Sequence, residues 1–177
     1  MILAKICIMG EISVGKTSLI RRFVDRSFSD AYLATVGVKI SRKHLQQSGS
    51  GTGTDGIQLV LWDLEGGESF DDITPSYLKG ARGAVVVGDV SRPSTVDAIE
   101  RHVQRFLVVN PHGAVVIALN KSDLGHDPGL LLRASQHDTP AILSTICTSA
   151  RSGEGVDALF TTLGEHILTG AGSGDRT

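Results

Sequence analysis

The chain has 177 residues, 41% of them hydrophobic and 20% charged, which predicts a single soluble globular domain able to bury about 70% of its unfolded surface without covalent staples. A formal charge of 17 − 19 = −2 and an aromatic content of 5% exclude a general field for nucleic acid or an anionic membrane, and a base-stacking platform. Two cysteines exclude a disulfide framework and fit a reducing, cytoplasmic setting, and the histidines show no metal-ligand spacing.

Ile2–Met9 is apolar, Val/Ile/Leu-like and short, so it reads as a buried strand and not as a membrane span or a signal peptide. It runs into Gly10-Glu11-Ile12-Ser13-Val14-Gly15-Lys16-Thr17, and a helix is expected over Lys16–Arg26. Strand, glycine-bounded loop and helix in that order are the setting of a phosphate-binding loop. Glycines let the main chain wrap closely on phosphates with its amides inward, and the helix start adds its positive end. Lys16 can place its ammonium on the outer phosphates and Thr17 can give its hydroxyl to Mg²⁺. Gly10, Ser13, Val14, Gly15 and Ser18 complete the set expected around the phosphates. The bland alternative, a chance match in a Gly-rich chain, does not supply the flanking strand and helix.

Thr35 falls in the next loop, where its hydroxyl can reach a metal ion; otherwise it is a solvated loop residue. Val36–Leu45 mixes polar and apolar residues and reads as an edge strand. Ser48–Gly56 is a Gly/Ser-rich loop joining it to the strand Ile57–Asp63 in a hairpin. That strand ends in Asp63-Leu64-Glu65-Gly66, where Asp63 can hold Mg²⁺ through water and the Gly66 N–H can face a terminal phosphate. A weak helical pattern covers Ser69–Lys79, and Asp71 with Asp72 reads as a solvated face.

Gly83–Val90 is the next strand. Val96, Ile99, Val103, Phe106 and Leu107 then form one apolar helical stripe, with Ser94 and Asp97 spaced as an acidic capping box. The strand Ala114–Leu119 delivers Asn120-Lys121-Ser122-Asp123. A carboxylate at Asp123 can accept from guanine N1–H and its 2-amino group, donors that adenine lacks, so a buried Asp123 discriminates between the bases. Asn120 can tie this loop to the phosphate loop, and the Lys121 stem can cover the base. A helix over Gly129–His137 and a strand over Ala141–Cys147 follow; the latter leads to Thr148-Ser149-Ala150, where a main-chain N–H can bond guanine O6 and Arg151 adjoins. Cys7 and Cys147 both fall in strands and read as core. Val156, Leu159, Phe160, Leu163 and Ile167 make the last stripe, and Thr169–Thr177 reads as a flexible Gly-rich tail to a domain of residues 1–168. Alternating strands and helices make this an α/β fold with helices on both faces of the sheet.

Taken in order, these motifs resemble the small GTPases of the Ras superfamily, with a Rab-like pattern over about residues 2–168. Phe28-Ser29-Asp30-Ala31-Tyr32-Leu33-Ala34-Thr35-Val36-Gly37-Val38 is similar to a Rab-type switch I, and Leu61-Trp62-Asp63 to the strand entering switch II. The resemblance implies a three-layer P-loop NTPase domain: a six-stranded, mostly parallel sheet with one antiparallel edge strand and about five helices. It implies GTP and GDP with Mg²⁺ as ligands, and protein effectors, an exchange factor and a GTPase-activating protein as partners. It also places Phe28 on the guanine edge, and Thr17, Thr35 and Asp63 on the metal.

The family pattern D-x-A-G-Q-E is broken here as Asp63-Leu64-Glu65-Gly66-Gly67-Glu68. Gly67 stands where a Gln orients the attacking water, so intrinsic hydrolysis is expected to be slow, to the point of a GTP-bound scaffold. Glu65 and Glu68 are the nearby candidates to replace that Gln, against the repulsion between a carboxylate and a γ-phosphate. Ser13 replaces a residue tolerant of unusual backbone angles. No lipidation cysteine is seen, so no stable membrane anchor is expected, as in a bacterial or other stand-alone member.

Overall fold

The computed structural model describes residues 1–31, 34–46, 56–67 and 74–173. The strands are β1 (Ile2–Gly10), β2 (Val38–Gln46), β3 (Gly56–Leu64), β4 (Gly83–Asp89), β5 (Ala114–Asn120) and β6 (Ile142–Cys147). They form one sheet in the order β2-β3-β1-β4-β5-β6, with β2 antiparallel to β3 and the remaining neighbours parallel. β4 and β5 are buried at every position, as Val/Ile-rich central strands must be when helices cover both faces. β2 alternates between half-buried and exposed residues, which matches its edge position.

The helices are α1 (Lys16–Asp25), α2 (Thr74–Leu78), α3 (Pro93–Asp97), α4 (Ile99–Val109), α5 (Pro128–Ala134) and α6 (Val156–Ser173). Only Ala98 separates α3 from α4, and its helical φ of −78° lets the two run on as one stripe. Side chains of β1 alternate between two cores. Ile6 and Ile8 join α1 and α6 on one face, while Cys7 and Met9 join α2, α4 and α5 on the other. Phe23 and Phe160 stack between α1 and α6 with centroids 4.3 Å apart. Fully burying each large aliphatic side chain is worth about 1.5–3 kcal/mol, so this double core fixes where the strand ends lie.

Several expectations are corrected in detail. β2 begins at Val38, not Val36, and Val36 is 86% exposed. α3 starts after Arg92 with Pro93 in its first turn, so Ser94 lies inside the helix and no side-chain cap forms. Pro93 dictates that start because its φ is already helical. α5 starts at Pro128, where Asp127 accepts a hydrogen bond from the Gly129 N–H at 3.1 Å and caps the helix. α6 runs through Ser173, so residues 169–173 are helical and not tail. Within α6, a Cβ on Gly164 would stand 2.9 Å from Leu45 Cδ1, so glycine there is a packing choice that lets the helix approach β2. Cys7 is fully buried and burial pushes its thiol up to about 12, whereas Cys147 is only partly buried. The expected loop before β3, the start of the 69–79 helix, Glu68, Asp71, Asp72 and the last four residues lie outside the described residues.

Candidate functional site

The C-terminal ends of β1, β3, β4, β5 and β6 share one edge of the sheet. The connection after β1 leads to one side of the sheet and the later strands to the other, so a crevice opens at the end of β1. A cleft of about 440 Å³ occupies it.

β1 ends at Gly10, where a Cβ would stand 2.3 Å from the Val87 carbonyl oxygen, and α1 starts after Gly15, where it would stand 2.3 Å from Asn120 Nδ2. Side chains are thus impossible at both ends of the loop. Ser13 between them holds a left-handed φ of 63°, a conformation that costs a non-glycine residue about 1–2 kcal/mol. The loop is held from behind through its carbonyls. Arg92 Nη2 donates to Ile12 O (2.8 Å), Lys121 Nζ to Ser13 O (2.9 Å) and Asn120 Nδ2 to Val14 O (2.9 Å). Lys16 is 6% exposed, and its ammonium donates to Gly10 O (2.9 Å) and Glu11 O (2.7 Å). Burial lowers its pKa to about 8 against the pull of Asp63 and Glu11, which still leaves it largely protonated at neutral pH.

Three oxygen donors meet beside the loop. Thr17 Oγ1 donates to Asp63 Oδ2 at 2.5 Å and lies 2.7 Å from Thr35 Oγ1, which is itself 3.5 Å from Asp63 Oδ2. Asp63 is 1% exposed, and burial raises its pKa despite the Thr17 bond and the nearby Lys16. Its Oδ1 is buried with no partner among the described residues. An all-oxygen set with one orphaned carboxylate oxygen fits a hard divalent cation such as Mg²⁺. Among the described residues no trio of His, Cys, Asp or Glu could hold a metal by itself.

At the far end, Asn120 Oδ1 accepts from the Ala150 N–H (3.3 Å) and the Thr148 hydroxyl (3.2 Å). Asp123 Oδ1 accepts from Ser149 Oγ at 2.6 Å. The Asp123 side chain is exposed in the cleft wall and not buried as expected. Phe28 lies half-buried against the α1 core.

The cleft is lined by Ser13, Gly15, Lys16, Thr17, Ser18, Phe28, Thr35, Gly66, Asn120, Lys121, Asp123, Ala150 and Arg151 from the expected set. Val14, Asp63 and Ser149 are not part of the lining, and Gly10 and Gly67 border a small neighbouring hollow. A Cβ on Gly66 would meet Ile12 N and Lys16 Nζ at 2.7 Å, so that strand end touches the loop only as glycine. Glu65, just before it, also lines the cleft. Its Oε2 accepts from the Gly37 N–H at 2.7 Å.

Two residues escaped the sequence reading. Arg22 Nε donates to Ala150 O at 2.7 Å, its Nη2 to Arg151 O, and its guanidinium lies 6.0 Å from the Phe28 ring centre. Asp89, buried at the end of β4, accepts from Lys121 Nζ (2.6 Å), Ser91 Oγ (2.6 Å) and Arg92 Nε (3.0 Å). Burial would raise its carboxyl, but Lys121, Ser91 and Arg92 outweigh that and hold it below the usual carboxylate range. A charged residue at the C-terminal end of an otherwise apolar strand was the available signal. Asp89→Asn removes the shared counter-ion of both cations. It is expected to cost about 2–3 kcal/mol in denaturant unfolding, reduced from a fully buried pair because Lys121 and Arg92 touch solvent. A loss under about 0.5 kcal/mol would show that Asp89 acts only as a surface pair does.

Residues 5–169 match the sequence model of the Ras family. The chain belongs to that family. This Ras-family chain is 31% identical to the Ras-related protein Rab-1C of Dictyostelium discoideum, over 93% of its own length and 81% of the relative's. It is 33% identical to Rab-18 of Lymnaea stagnalis over 93% and 80%, and 30% identical to human Rab-4A over 98% and 78%. It is therefore a Rab-like small GTPase, and its mixed sheet with one antiparallel edge strand is the architecture expected of one.

Proposed function

We propose that the cleft binds GTP and GDP with Mg²⁺, that the chain hydrolyses GTP slowly on its own, and that the two nucleotide forms differ in partner binding. The observation that carries this reading is the convergence of three separate loops on one cleft: the Lys16 loop, the Thr17–Thr35–Asp63 oxygens, and Asp123 at the opposite end. Gly10, Ser13, Val14, Gly15, Lys16, Thr17, Ser18 and Gly66 would surround the phosphates. Phe28, Asn120, Lys121, Asp123, Ser149, Ala150 and Arg151 would surround the base.

Water attacks the γ-phosphorus, the bond to the β-phosphate oxygen breaks, and GDP and phosphate leave. Lys16 would stabilise charge on the phosphate oxygens, and the Gly66 N–H would add a donor at close range. Thr17 and Thr35 would hold Mg²⁺ with their hydroxyls and Asp63 through water, and the ion would supply further charge neutralisation on those oxygens. Gly67 offers no side chain to orient the water, so this step is slow unless a partner contributes the missing group. That same residue favours a second reading, a GTP-bound scaffold that hardly turns over. Effectors, an exchange factor and a GTPase-activating protein would act on it in the cytoplasm, without nucleic acid. The free cysteines fit that compartment.

The test is to identify the nucleotide released from purified protein and to compete fluorescent GDP with GTP and ATP. GTP or GDP is expected in the protein, with a preference over ATP of about a hundredfold or more. Equal uptake of ATP would refute the reading.

A further inference from the structure

Glu65 makes two bonds to one residue of the facing loop. Its N–H donates to Gly37 O at 2.9 Å, and its Oε2 accepts from the Gly37 N–H at 2.7 Å. The last regular pairing of β2 with β3 is Val38 with Leu64, so Gly37 and Glu65 form the next rung. In a regular antiparallel rung both acceptors are main-chain carbonyls. Here the chain turns off toward Gly66, and a carboxylate takes the place of the second carbonyl. A small residue at this position, as the family pattern has, leaves only the first bond.

Gly37 is two residues from Thr35, whose hydroxyl lies 2.7 Å from Thr17 Oγ1. Fixing Gly37 shortens the free segment that must be ordered to bring Thr35 to the metal donors. In the usual switch, that ordering is done by the third phosphate and is lost with it.

We propose that Glu65 is a positioning residue that holds Gly37, and through it Thr35, in the closed arrangement whether or not a γ-phosphate is present. The chain then supplies part of its closed-state stabilisation from one of its own side chains. A nucleotide shifts two states only by its differential affinity for them, so the GTP and GDP forms differ less in this loop than in a chain without the rung. The inference rests on the cleft being a guanine-nucleotide site.

The experiment is hydrogen–deuterium exchange of the peptide spanning residues 35–39, on protein loaded with GDP or with a non-hydrolysable GTP analogue. Wild type is expected to show protection within about threefold between the two forms, because the rung is intact in both. Glu65→Ala is expected to speed exchange in the GDP form by about tenfold or more, the scale of one charge-assisted hydrogen bond, and to change the GTP-analogue form far less. Glu65→Gln, which keeps an acceptor oxygen at the same reach, is expected to recover most of the protection. Should Glu65→Ala not fold, Glu65→Asp, whose carboxylate is one methylene short, reads the same loss. Unchanged GDP-form exchange in the shortened variants, or a large difference between the two wild-type forms, overturns the proposal. Titration with fluorescent GDP comes first. Failure to bind there condemns the cleft reading, whereas normal binding with unaltered exchange condemns the role of Glu65 alone.

Discussion

Asp123→Asn is expected to weaken binding of GDP and GTP by about a hundredfold or more and to raise the affinity for xanthine nucleotides. A carboxylate facing the base accepts from two neighbouring donors, N1–H and the 2-amino group of guanine. An amide at the same place accepts one bond and donates the other, so it clashes with the 2-amino group and suits the 2-oxo group of xanthine. Ser149 already donates to Asp123 Oδ1 at 2.6 Å, a bond that an amide with its carbonyl oxygen on that side would keep. The magnitude follows from a site built on hydrogen bonds meeting a ligand that leaves its polar group unpaired. Competition of fluorescent GDP with xanthosine diphosphate measures both changes at once. Retained guanine preference in the variant would remove Asp123 from the base site.

If the proposed function is right, Gly67→Gln is expected to accelerate single-turnover GTP hydrolysis by about tenfold or more, since a Gln there would supply a group to orient the water. Among the described residues, nothing lies within 4 Å of where the Cβ would stand. The backbone resists it: φ is +127° at Gly67, and an L-residue there costs about 1–3 kcal/mol of strain. Gly67→Ala carries the same strain without the amide, so the informative ratio is Gln over Ala. A ratio near one would mean that slow turnover has another cause.

Glu65 is one of the two carboxylates that the sequence offers in place of that Gln. The sequence set it beside the phosphates as a charge to be repelled, and the fold turns its carboxylate onto the Gly37 amide. This divides what was legible from what was not. Gly10, Gly15, Lys16 and Thr17 could be read because one continuous loop holds them, and close main-chain approach permits few residue types at fixed spacing. Asn120 and Asp123 could be read because an apolar strand delivers them to a known edge. Arg22, Asp89 and Glu65 could not, because their partners lie far off in the chain: Arg22 reaches Ala150, and Asp89 reaches Lys121. Only packing of the two cores brings them together. The start of α3 was misplaced because Ser94 looked like a cap, while Pro93 had already set the turn. α6 continues to Ser173 through residues whose Gly-rich composition reads as tail.

The three clamps behind the phosphate loop carry a consequence for its opposite side. A planar trans peptide aims its C=O and its N–H in opposite directions. With the oxygens of Ile12, Ser13 and Val14 drawn outward by Arg92, Lys121 and Asn120, the hydrogens of Ser13, Val14 and Gly15 face the other way in succession. An arriving anion therefore meets a row of dipoles that are already turned toward it, and little orientational freedom remains to be lost when it docks.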